Sequence, residues 1–390
     1  LELQVLRMAE SAVGRMSAKI PWCRVPGADR LRALLEGNLR KFLAQRFWSL
    51  LLLAHGIHRW VAGRADADTP PIVLSRHGYL GAAVRSLPGF GEYRFETQWS
   101  PRRSWMGVLA SIVFRRLRAA LVPAGRPRVP SGPRIAVAAT RDDPAYDLFF
   151  LREGTGLSGS DVLCVFDRAD HPATRTRVSA HHSRGIECVA LRRSAAGELP
   201  GLQWVDGGGA GPLGCQLRIA LGLRSASRRG GRLARAILLE IAVALLDAQR
   251  LAGFYLAHGV RAVVHYQEVD LDPYSLACEI VHGIRVGVRW SVFDGPCAAC
   301  MSLHQMVFAA GRREVPLLRA TGSIPRAVLL AGWPHSEMPR TSAHVASAAR
   351  AATDCRDAGA TFLLCLLDTS LPTPSFYRAF FDWLLEDPRI

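Results

Sequence analysis

Seven short apolar runs constrain this chain more than any other feature. They are RIAVAAT (134–140), VLCVF (162–166), IECVAL (186–191), RAVVHY (261–266), VGVRWS (286–291), AVLLAG (327–332) and TFLLCLL (361–367). Each is too short for an ordinary helix, and most are separated by roughly 20–35 residues that carry a helical pattern. Continuous apolar runs, unlike alternating ones, mark strands buried on both faces. Their alternation with helices is the signature of repeated βα units. The fold class this implies is α/β, with a mostly parallel, Rossmann-like sheet.

Residues 1–62 read as helical, with apolar residues at helical spacing through LRALLEGNLRKFLAQRFWSLLLL. PPIVLS (70–75) is a short strand candidate, 102–122 a basic amphipathic helix, and PAGRPRVPSGP (123–133) a linker. At 390 residues the chain exceeds one ordinary core. The expected organisation is a helical N-terminal region with its linker over 1–133, a Rossmann-like domain over 134–340, and the start of a second, incomplete α/β domain over 341–390. The chain begins at Leu1 and ends in FFDWLLEDPRI, just past a helical pattern, so it reads as a fragment of a longer protein.

Forty-nine basic residues stand against 33 acidic ones, a net charge of +16, and all but Lys19 and Lys41 are arginines. Such a surplus attracts phosphate, on nucleic acid or on anionic lipid, unless it is only a solvated surface. RRSWMGVLASIVFRRLRAALVPAGRPR (102–128) and RSASRRGGRLARAILLEIAVALLDAQR (224–250) join basic residues to an apolar helical stripe. Aromatics are few and not interleaved with the charge. The pattern therefore suits an anionic membrane surface better than nucleic acid, which is not an expected partner. No stretch reaches the roughly 20 apolar residues of a transmembrane span. FWSLLLLA (47–54) is bounded by Arg46 and His55, and AILLEIAVALLDA (236–248) carries Glu240 and Asp247. The nine cysteines are scattered, several of them inside apolar strands, and read as buried thiols of a reducing cytoplasm. The expected location is cytoplasmic, peripheral on the inner membrane face.

Asp143, Asp272 and Thr373 each precede a proline, the pattern of a helix N-cap followed by proline at the first helical position. Capping does not account for the neighbours of Asp272. Tyr266, Gln267, Glu268 and Asp270 crowd the carboxyl end of the 261–266 strand, ahead of the next helix. In open parallel sheets that edge binds ligands. A carboxylate there can take the proton of a hydroxyl, which makes Glu268 and Asp270 the candidate catalytic residues, while Tyr266 and Gln267 can orient a polar substrate. One βα unit later, VRWSVFDGP (288–296) repeats the arrangement, with Trp290 and Ser291 at a strand end. Trp290 can stack on a sugar or base face, or fill the core. The alternative for the whole group is a polar loop that satisfies its own backbone.

Other motifs are weak. CAACMSLH (297–304) holds one CxxC and a histidine, but zinc needs a fourth ligand and there is no second CxxC. DGGGAGPLG (206–214) lacks the ending of a phosphate-binding P-loop, HH (181–182) has no partner motif, and GWPHSEMPR (332–340) reads as a polar hinge. Neither GxSxG, HExxH nor a Gly-rich dinucleotide fingerprint occurs. No cofactor and no metal are expected.

The tail ATFLLCLLDTSLPTPSFYRAFFDWLLEDPRI (360–390) is a strand ending in Asp368, Thr369 and Ser370, then a loop, then a helix with Phe376, Phe380, Trp383 and Leu384 along one stripe. Preceded by HGIRVGVRWS, HQMVFAAGRREVPLLRATG and AVLLAGWP in that order, it resembles the bacterial surface-polysaccharide biosynthesis proteins of the PFTS-motif type, which are related to GT-B glycosyltransferases. The resemblance covers roughly residues 260–390 and lies in the pattern of elements. It implies a GT-B-like glycosyltransferase of capsule or lipopolysaccharide assembly, with a nucleotide sugar donor and a glycan or lipid-linked acceptor. On that reading 134–340 is the acceptor side and 341–390 opens the donor side. Tyr266, Gln267, Trp290 and Ser291 then shape the acceptor site, and Asp368, Thr369 and Ser370 match the polar turn that opens the donor half. Thr373, Pro374 and Ser375 are not the PFTS signature, which is expected beyond Ile390. The alternatives are a non-catalytic binding or scaffold protein of the same pathway and, from charge alone, a basic nucleic-acid-binding protein.

Overall fold

The computed structural model describes residues 2–18, 28–62, 72–74, 95–97, 105–121, 132–139, 151, 155–166, 173–191, 199–200, 202–204, 213–228, 232–265, 272–288, 300–323, 325–332, 342–359, 382 and 386. The chain forms two compact units, Leu1–Ser336 and Glu337–Ile390.

In the first unit, β1 (Ile72–Leu74) and β2 (Phe95–Thr97) form a small parallel pair. The main sheet has eight strands: β3 (Arg134–Ala138), β4 (Val162–Phe166), β5 (Glu187–Ala190), β6 (Leu202–Trp204), β7 (Val260–His265), β8 (Ile284–Val288), β9 (Met306–Ala309) and β10 (Ala327–Leu330). Their spatial order is β10-β9-β8-β7-β3-β4-β5-β6, and every pairing is parallel. The chain builds outward from β3 to β6, then returns to lay β7 on the other side of β3 and builds outward again. Strand order therefore reverses once, between β3 and β7, as in Rossmann-like sheets. The sheet is thus the parallel α/β arrangement that the βα rhythm predicts. β6 and β9 do not appear among the seven apolar runs, and the 361–367 run lies outside the described residues.

Burial on both sides of the sheet explains the continuous apolar runs. All five residues of β4 are buried. Alternate side chains divide between two cores. Ala136, Leu163, Val165, Val189 and Val263 join one core; Val137, Cys164, Phe166, Cys188 and Val264 join the other. Helices α1 (Glu2–Ser17), α2 (Ala28–Ala62), α5 (Leu213–Arg228), α6 (Arg232–Ala257) and α7 (Pro273–Ile280) all contribute to the first core. Helix α4 (Arg175–His182) contributes Val178 to the second. Helix α3 (Trp105–Leu121) packs outside α5 and α6, and α8 (Glu314–Ala320) links β9 to β10. In the second unit the described element is α9 (Ser342–Asp357).

The crossover back to β7 runs through α5 and α6. Helix α6 stops at Ala257, and Gly259 turns the chain at φ +67°, a conformation that glycine adopts without the penalty of a Cβ. Helix α2 is bound to the β7–β10 half by polar contacts as well as by its apolar face. Lys41 Nζ donates to the Met301 carbonyl at 2.6 Å, and Arg40 Nη2 donates to the Thr321 carbonyl at 3.2 Å. Gly37 permits the close approach, because a Cβ there would lie 2.6 Å from Leu303 Cδ2.

Candidate functional site

The strands flanking the reversal end level with one another. Val137 of β3 is in register with Val264 of β7, and Val264 with Val286 of β8. One residue further on, His265 pairs with Gly287, and Gly287 with Val307 of β9. At such a reversal the connections leave two adjacent strands in opposite directions, which opens a crevice outside the carboxyl ends of the strands. Here that edge is framed by the ends of β3, β7 and β8.

Six of the sequence-predicted site residues follow strands of this edge in the chain. Tyr266, Gln267, Glu268 and Asp270 follow β7 in sequence, and Trp290 and Ser291 follow β8. Asp368, Thr369 and Ser370 belong to the second unit. All nine lie outside the described residues.

The polar run after β7 ends at a well-held helix start. Asp272 is buried and N-caps α7, accepting from the backbone N–H of Tyr274 at 2.9 Å and of Ser275 at 3.2 Å. Pro273 occupies the first turn, as the Asp-Pro pair predicts. The Asp143 and Thr373 caps lie outside the described residues. The Asp272 backbone N–H in turn donates to Asn38 Oδ1 of α2 at 3.2 Å.

A second support lies under β8. His304 is buried against Gly287, where a Cβ would come within 2.2 Å of its Nδ1. Its Nδ1 also lies 2.9 Å from Ser302 Oγ. Ser302 N donates to Ser323 Oγ at 2.7 Å, joining the strand approaching β9 to the turn after α8. Arg285 of β8 pairs with Glu279 of α7, and its Nε donates to the Leu303 carbonyl at 3.0 Å. These contacts fix α7, β8 and the 300–304 segment as one block beside β7.

Other titratable groups are arranged for packing. Burial pushes the Cys278 thiol up to about 12, so it carries no thiolate at neutral pH and is not a nucleophile. Burial, and then the Arg177 guanidinium, push His181 down to about 4. The neutral ring lies 3.4 Å from Cys164 Sγ and edge-on to Phe166. The HH pair thus contributes a core histidine. His258 is lowered by burial and stacks on Phe254 with ring centroids 4.5 Å apart. Arg134 and Glu187 pair at 2.6 Å at the amino-terminal ends of β3 and β5, the edge opposite the crevice.

Among the described residues no group of three or more His, Cys, Asp or Glu side chains is placed to hold a metal ion. Cys300 is buried, and Cys297 lies outside the described residues. Asn38 and Gly287 are the supporting residues that motif reading passes over. Each works through a partner distant in sequence or across a strand, and neither carries a local signal.

No protein-family model, curated protein or solved structure matches the chain. The fold defines the class: an α/β protein with an open parallel sheet whose strand order reverses once, between β3 and β7.

Proposed function

We propose that this is a GT-B-like glycosyltransferase of bacterial surface polysaccharide assembly, whose first unit binds the acceptor outside the carboxyl ends of β3 and β7. One observation carries the reading. The strand that precedes Tyr266, Gln267, Glu268 and Asp270 is β7, which flanks the reversal of strand order, the position where open α/β sheets take their ligands.

In this reading Glu268 or Asp270 accepts the proton of an acceptor hydroxyl. The hydroxyl oxygen forms a bond to the anomeric carbon of the donor sugar. The bond from that carbon to the phosphate oxygen breaks, and the nucleotide leaves with the electron pair. Tyr266, Gln267, Trp290 and Ser291 orient the acceptor, and Asp368, Thr369 and Ser370 belong to the donor side. A donor made in the cytoplasm, and an acceptor held on lipid or glycan, fit a cytoplasmic protein at the inner membrane face.

The test is donor hydrolysis. The full-length protein is incubated with UDP-, GDP-, CMP- and dTDP-activated sugars, and nucleotide release is followed with water as the surrogate acceptor. Slow release from one nucleotide class supports the reading. Tight donor binding with no release from any of them supports the non-catalytic alternative.

A further inference from the structure

Helix α3 has two apolar faces, and the fold covers one. Val108 and Ile112 are buried with Ala220, Leu239 and Leu246 from α5 and α6. The opposite side holds Met106, Val113, Phe114 and Leu117, which are 69%, 52%, 65% and 58% exposed. At 100° per residue these four fall within about one-third of the helix circumference, away from Val108 and Ile112. Four large apolar side chains on a helix fastened to the domain by its other face form a patch, not scattered surface residues.

The charge of this segment says what covers the patch. Residues 102–128 contain seven arginines and no acidic residue, and Arg115, Arg116 and Arg118 lie within the helix itself. We propose that the exposed face of α3 seats on an anionic lipid bilayer, with the helix lying in the plane of the headgroups. Apolar side chains enter the acyl boundary while arginines meet lipid phosphates, the arrangement of interfacial helices. The helix is 17 residues long, about 26 Å, and carries three arginines, so it lies on a bilayer and does not cross one. No helix among the described residues is long and apolar enough to span.

Two other occupants fit less well. A symmetric second copy would bring arginine-rich segments together about its axis, where like charges repel. Nucleic acid would engage the arginines but leave Met106, Val113, Phe114 and Leu117 with nothing apolar to meet.

The experiment is vesicle co-sedimentation of the full 390-residue chain. Phosphatidylcholine vesicles are compared with vesicles that also contain phosphatidylglycerol. The chain should bind the anionic vesicles strongly and the neutral ones weakly. Phe114→Ser with Leu117→Ser should weaken binding to anionic vesicles about a hundredfold, because two large side chains no longer leave water. Arg116→Gln with Arg118→Gln, the two positions that flank the patch at 100° per residue, should remove much of the preference for anionic lipid. Because Phe114 and Leu117 are exposed, the melting temperature of the double variant should not change. Unchanged vesicle binding by the double variant would overturn the proposal. So would a wild-type dimer that this variant converts to monomer without any vesicle binding, or tight binding to duplex DNA with none to vesicles.

Discussion

The backbone N–H of Asp272 donates to Oδ1 of Asn38 across 3.2 Å, joining two residues 234 positions apart. The Asn38 amide is oriented for this by its own donation to the Leu34 carbonyl at 3.1 Å. Both residues are buried. Asn38→Ala leaves the Asp272 N–H without its partner and without water. The expected loss is about 1–3 kcal/mol of stability, read from the urea midpoint at unchanged slope.

Asp272 itself is tested by a pair of substitutions. Asp272 accepts through Oδ1 from Tyr274 and through Oδ2 from Ser275, and Asn keeps one of these two acceptors, so Asp272→Asn should cost less than Asp272→Ala without being silent. Asp272→Ala removes the acceptor for the Tyr274 and Ser275 N–H groups and should cost about 1 kcal/mol by thermal or urea unfolding.

This cap was legible in the sequence because an Asp-Pro pair is a local signal. The Asn38 tie was not, because its partner is in another part of the chain. The same division holds for the fold. The VLCVF of β4 stands out because every one of its residues is buried. The MVFA of β9 is only alternately buried, and the LQW of β6 is three residues long, so neither makes a run. The polar stretch after residue 265 stands out in the sequence as a cluster at the end of an apolar run. That its strand lies at the reversal does not, since pairing with β3 is set by a long crossover through α5 and α6.

Gly287 is required by the ring of His304 beside it. Gly287→Ala places a methyl group 2.2 Å from Nδ1, so the ring must move away from Ser302. Overpacking of this kind costs about 1–3 kcal/mol. Adding His304→Ala should recover part of that loss, a coupling that a double-mutant cycle measures directly.

His181 gives the fold a pH dependence of known sign. Unfolded, it takes a proton below its ordinary value near 6.5; folded, it does so only below about 4. Between those values the unfolded chain holds the extra proton, so stability falls as pH drops through the window. The limit is on the order of 3 kcal/mol. His258, also lowered by burial, acts in the same direction. Unfolding free energies from pH 7 to 4 should therefore fall less steeply in His181→Gln than in the wild type.

The central claim is that the polar run after β7 performs chemistry. Its most direct test is the turnover of Glu268→Gln and Asp270→Asn in the full-length protein, measured with the sugar donor that the wild type hydrolyses. At least one of the two changes should lower kcat by about a hundredfold or more, the usual size of a general-base contribution, with the unfolding midpoint unchanged. Full turnover in both variants would contradict the account and leave residues 266–270 as a structural polar loop.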